Sequence, residues 1–163
     1  MLPYNKIYDL LVKYTILGLF EKSPVNACAA FASLCGKVVI RAYRSLCSFA
    51  SGHHYFLLQS SSWAAAEGAA RRLGGHLATV NDAAEQDWLY STFGQLDGVA
   101  RTLWIGLHDP EPTLNAVDPE VRKTEFVWSS GESASFRNWA PGEPNNYANR
   151  EFFAHLWAPG SSV

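Results

Sequence analysis

At 163 residues the chain has room for one ordinary domain, with or without an appendage. Hydrophobic residues make up 48% and charged residues 17%, which excludes a disordered chain and allows a buried core. A net charge of -2 removes the electrostatic case for a nucleic-acid partner.

The charge is unevenly spread. Residues 1–50 hold six Lys/Arg against two Asp/Glu, a net of +4, and all three cysteines, Cys28, Cys35 and Cys47. Residues 51–163 hold seven against thirteen, a net of -6, and no cysteine. Two kinds of material therefore join near Ala50 to Gly52: an N-terminal segment, 1–51, and a domain, 52–163. Residues 8–20 are apolar but broken by Asp9 and Lys13, too interrupted for a span of about 20 apolar residues or for the core of a signal peptide. Residues 25–40 suit a short buried or membrane-seeking helix. The cysteines, spaced by seven and then twelve, match no zinc-ligand pairing, and their odd number argues against a closed disulfide set. The segment is expected to be apolar helix-forming sequence with incidental thiols and no assignable role. Unrelated sequence fused by a misplaced start codon is the alternative.

From Gly52 onward the punctuation sharpens. Residues 54–58, "HYFLL", predict a first strand. In "SSWAAAEGAARRLGG", Trp63, Ala66, Ala70 and Leu73 recur at helical spacing, Ser62 can cap the start, and Gly74-Gly75 supplies a left-handed stop. "HLATV" predicts a second short extended run. "NDAAEQDWLYSTFG" predicts another helix, with Asp82 and Glu85 at capping-box spacing, Trp88, Leu89 and Phe93 on its buried side, and Gly94 at its end. Strands follow: "TLWIGLHD" alternates Leu103, Ile105 and Leu107 against Trp104 and Gly106, and "FVWSSGE" turns at Ser130-Gly131. The order is that of an α+β fold.

"NWAPGEPNNYANRE", residues 138–151, carries two prolines, a glycine, four asparagines and two glutamates. By default such a run is a surface loop, and its oxygen-rich side chains also suit a hard cation. Nothing points to an enzyme: no HExxH, GxSxG, phosphate-binding loop or dinucleotide fingerprint is present. Adjacent His53 and His54 point to opposite faces if on a strand, and His76 and His108 stand alone, read as structural or surface residues.

Taken together, "SSWAAAEGAARRLGGHLATVNDAAEQDWL", "LWIGLHD", "FVWSSGE" and "NWAPGEPNN", in this order and spacing, resemble a C-type lectin-like domain from about His54 to Glu151. The likeness is to disulfide-free bacterial members, because the usual cysteine positions fall among Ala70 to Leu73 and at Phe152-Phe153. The resemblance implies two helices flanking a small antiparallel sheet, and a long loop with a Ca2+ site. It implies that Glu143, Asn145 and Glu151 bind the cation, and the sugar with it, and that the peptide before Pro144 is cis. The Glu-Pro-Asn order resembles lectins for the mannose, fucose and N-acetylglucosamine class. Asp109 stands where some members place an auxiliary calcium ligand, but the acidic partner four residues on is Thr113, so no second site is expected.

The donors suit the ion, since calcium takes six to eight hard oxygens. The family completes its site with an Asn-Asp pair, usually within "WND". Here Glu151 is followed by "FFAHLWAPGSSV", and Trp157 by Ala158-Pro159. The expectation is a domain without its last strands, with about three protein oxygens and weakened calcium and sugar binding. Calcium-independent protein binding on the same fold, or a fragment without function, are the alternatives. Family resemblance favours an extracellular or cell-surface location.

Overall fold

The computed structural model describes residues 8–15, 48–50, 53–111 and 118–157. The helix expected at residues 25–40, the three cysteines, Thr113 and Ala158-Pro159 lie outside the described residues.

Among the described residues seven strands form one sheet. Tyr8–Thr15 (β1), Ser48–Ala50 (β2) and His53–Ser61 (β3) come first in the chain. His76–Leu77 (β4), Leu103–His108 (β5), Val127–Trp128 (β6) and Phe153–Leu156 (β7) follow. The main path runs β2-β3-β1-β5-β6, with β4 paired to β1 and β7 to β5. β1 is antiparallel to β3, from Tyr8 opposite Ser61 to Thr15 opposite His53, and parallel to β5 at Asp9 and Leu10.

Two expectations are corrected here. Tyr8–Thr15, read as helix-forming sequence, is a strand, and the sheet supplies the reason: β3 along one edge, and β4 and β5 on the other, provide partners for its backbone hydrogen bonds. The sheet, expected to lack its last strands, has one after the polar loop, since β7 lies antiparallel to β5. The expected boundary near Ala50 to Gly52 falls between two strands that pair with each other, β2 and β3.

The helices lie where their caps predict. Trp63–Arg72 (α1) begins at Ser62, whose hydroxyl accepts from the Ala65 N–H, and it buries Trp63, Ala66, Glu67 and Ala70. Gly74, at φ 84°, follows it. Ala83–Leu89 (α2) begins at Asp82, whose Oδ1 accepts from the Glu85 N–H at 2.8 Å. Glu85 reaches one residue beyond the expected capping box, accepting from the backbone N–H of Asn81 at 2.8 Å. A wider turn over Tyr90–Gly94 continues α2 and buries Phe93. A third helix among the described residues, Pro119–Glu125 (α3), is not expected from the sequence; Asp118 caps it and Pro119 opens it.

The sheet separates two apolar clusters, and strand alternation sorts residues between them. Tyr55, Leu57, Leu103, Ile105 and Leu107 pack with Leu89, Phe93 and Trp128 on one side. Phe56, Leu58 and Trp104 pack with Trp63, Ala66 and Ala70 of α1 on the other. Buried on both faces, β5 is a rigid rail, and the candidate site is attached to its end and to β7.

Candidate functional site

The polar loop leaves the core in ordered steps. Arg137 donates to the carbonyls of Ala134, Phe136 and Phe126, and lies 5.2 Å from the centre of the Trp128 ring. Trp139 packs edge-on against Phe126 with ring centres 4.9 Å apart. Beyond this anchor the Glu143 N–H donates to the Ala140 carbonyl, closing a turn that holds Gly142 at φ 85°. The Glu143–Pro144 peptide is cis, as the resemblance implies, and Pro144 is buried.

The three candidate ligands form one hydrogen-bonded chain. Glu143 Oε2 accepts from the backbone N–H of Asn145 at 2.9 Å, and Glu143 Oε1 from Asn145 Nδ2 at 2.8 Å. The Tyr147 N–H donates both to Asn145 Oδ1, at 2.7 Å, and to Glu151 Oε2, at 3.0 Å. Oxygens six residues apart in sequence are thus drawn to a single donor. Asn145 is exposed and both glutamates are half-buried, so all three face solvent while the loop fixes their backbone.

Asn146 does the fixing, and the sequence alone did not single it out. Only 7% exposed, it stands at φ 52°, a left-handed conformation that Asn tolerates better than most residues. Its carbonyl accepts from the Asn149 N–H at 2.8 Å, and its Oδ1 accepts from the Glu151 N–H at 3.2 Å. The side chain therefore pegs the stretch that carries Glu151 against the stretch that carries Asn145. The signal available in the sequence was the doubled "NN", where only the first Asn was given a role.

The donor set fits a hard cation in kind. Two carboxylates and an amide oxygen, converging from one loop, are the ligand types calcium selects. In number they fall short of six to eight, leaving positions for water or ligand hydroxyls. Among the described residues no cluster of three or more His, Cys, Asp or Glu stands ready to hold a metal. His76 and His108 take structural places. His76 Nδ1 lies 2.7 Å from Glu67 Oε1, and the His108 ring lies 4.8 Å from that of Trp63.

Comparison with known proteins adds family. The family model for the Lectin C-type domain matches residues 59–162. C-type lectin BfL-2 of Bungarus fasciatus is 37% identical over 103 residues, 60% of this chain and 57% of that protein. Galactose-specific lectin nattectin of Thalassophryne nattereri is 30% identical over 124 residues, covering 73% of this chain and 72% of its own. The Low affinity immunoglobulin epsilon Fc receptor of Mus musculus is 38% identical over 93 residues, 57% of this chain and 24% of the receptor. The chain spans little more than half the length of BfL-2. These relatives come from animals and are named as lectins or a receptor, none as an enzyme; the expected likeness to bacterial members rests on the missing cysteines alone. Sheet, helices, cis-proline loop and family match agree: the chain belongs to the C-type lectin domain family.

Proposed function

We propose that the domain binds carbohydrate with calcium, through Glu143, Asn145 and Glu151, outside the cell or at its surface. The observation that supports this most is the sharing of one N–H, that of Tyr147, by Asn145 Oδ1 and Glu151 Oε2, because it gathers hard oxygens at one point of a solvent-facing loop. Calcium, when bound, supplies a positive centre that the carboxylates and two neighbouring sugar hydroxyls can share. The chain's part is to orient. Glu143 offers acceptor oxygens and Asn145 Nδ2 a donor, so each sugar hydroxyl meets a partner of fixed polarity. The bond between Asn145 Nδ2 and Glu143 Oε1 is exchanged for bonds to the sugar. The Glu-Pro-Asn order favours mannose, fucose and N-acetylglucosamine. Nattectin is named as galactose-specific, so galactose belongs in the test.

The test is chromatography on mannose and galactose resins, with calcium and with EDTA. Retention on mannose that EDTA abolishes is the expected outcome. Passage through both resins, or retention that ignores EDTA, overturns the reading. The likeness to an immunoglobulin receptor favours a second one, protein recognition without calcium, for which Glu143→Ala leaves partner binding unchanged.

A further inference from the structure

We propose that Arg122 is a positioning residue for Glu151, an internal cation that holds the end of the ligand loop against the sheet; its consequence for ion binding rests on the calcium reading above. Arg122 is fully buried, at 0% exposure, on a short helix whose other residues are mostly solvent-facing. Burying a guanidinium is costly, so it needs compensation by charge and hydrogen bonds. The partners explain what the residue does. Nη2 donates to the main-chain carbonyl of Glu151 at 3.1 Å and lies 3.5 Å from Asp109 Oδ2, a carboxylate only 3% exposed. The guanidinium also lies 5.6 Å from the centre of the Phe126 ring.

These contacts tie three elements together. Asp109 is the residue after β5, Arg122 belongs to α3, and Glu151 closes the loop. A backbone bond from the Asp109 N–H to the Phe152 carbonyl, 2.9 Å, fastens the same junction from the sheet side. The Glu151 carbonyl is thus held from the core while its carboxylate reaches forward to the Tyr147 N–H. Arg122 fixes where the main chain of Glu151 sits, and so where the carboxylate can reach. Among the described residues Nε and Nη1 have no hydrogen-bond partner, so the binding of Arg122 is concentrated on this one junction.

The test compares wild type, Arg122→Met and Arg122→Lys by amide hydrogen exchange in calcium-free buffer. Arg122→Met is expected to speed exchange of the Asp109 and Glu151 amides about tenfold or more, from losing a hydrogen bond to a charged group, while amides of Phe56 to Leu58 stay within about twofold. Arg122→Lys, which keeps a cation beside Asp109, is expected to recover part of the protection. Uniform acceleration across loop and strands would mean a merely structural role, and unchanged loop exchange would mean no role; either overturns the proposal. If Arg122→Met does not fold, Arg122→Gln, which is shorter, polar and uncharged and so loses both the ion pair and the reach to Glu151, reads the same amides against the same criteria. Calorimetry then gives calcium affinity, expected to fall about tenfold in Arg122→Met at a temperature where it remains folded. Wild type that binds no calcium sinks the functional reading while the exchange result still decides the role of Arg122.

Discussion

Glutamates organise two regions of this molecule, and they do so in opposite ways. Glu67, on α1, is buried, and four groups donate to its carboxylate: Arg71 Nε at 2.8 Å, His76 Nδ1 at 2.7 Å, the Leu77 N–H at 3.0 Å and Ser129 Oγ at 3.0 Å. Those donors come from the helix, β4 and the turn after β6, so one carboxylate stitches three elements. Glu143 and Glu151 take their side-chain bonds from the loop's own Asn145 and Tyr147. The first arrangement leaves no capacity for anything else, while the second is made of local bonds that an ion and hydroxyls can replace. Saturation from distant elements gives stability, and replaceable local bonding marks the candidate site.

The contrast can be broken most forcefully at Glu67. Replacing it with Ala strands buried donors and removes the partner of Arg71 and His76, a loss of about 3–5 kcal/mol measured by urea unfolding. Burial pushes its pKa up, but the bonds from Leu77, Arg71, His76 and Ser129 outweigh that and hold it below the ordinary glutamate value. A depressed folded-state pKa stabilises above the unfolded value, near pH 4.3, and that stability is lost as pH falls through the folded pKa. Glu67→Gln is therefore expected to flatten the acid limb of a Tm-against-pH curve relative to wild type.

A smaller loss is expected at Gly106, beside the same knot. A Cβ there would stand 2.8 Å from the Leu77 carbonyl oxygen and 2.8 Å from Ser129 Oγ, so Gly106→Ala should cost about 1–3 kcal/mol by overpacking, read as a lower urea midpoint. At the far end of the scale lies Glu143→Gln. Stability is expected to stay within about 0.5 kcal/mol of wild type, as for a surface change, while calcium-dependent retention is lost. A large drop in Tm for this variant would erase the distinction between the two regions.

Much of the fold was legible because its signals are local. Ser62 and Asp82 mark helix starts, and the alternation along β5 separates Leu103, Ile105 and Leu107 from Trp104. α3 was missed because it has no apolar stripe: Val121 is 49% exposed, and the residue it buries is an arginine. Hydrophobic periodicity cannot find a helix whose core contact is a charge. β1 was missed because a short apolar stretch interrupted by Asp9 and Lys13 suits helix or strand, and its partners lie far along the chain. Glu143, Asn145 and Glu151 were legible as a motif. Asn146 and Arg122 were not, since the burial of a polar residue depends on neighbours brought in by the fold.

The position of β1 has a consequence for synthesis. It precedes the other described strands in the chain, and its two flanks are supplied at different times. β3 can pair once Ser61 has emerged, β4 brings Leu77 opposite Val12 16 residues later, and Leu103 of β5 comes 42 residues after Ser61. At about 5–20 residues per second that interval lasts roughly 2–8 s, during which the Asp9–Leu10 end of one edge of β1 lacks its β5 partner. An open edge can pair with any other unfinished strand, including that of the next chain on the same message. Of the described strands, the one that comes first in the chain is completed late, so the spacing of ribosomes bears on how much of this domain reaches its native sheet.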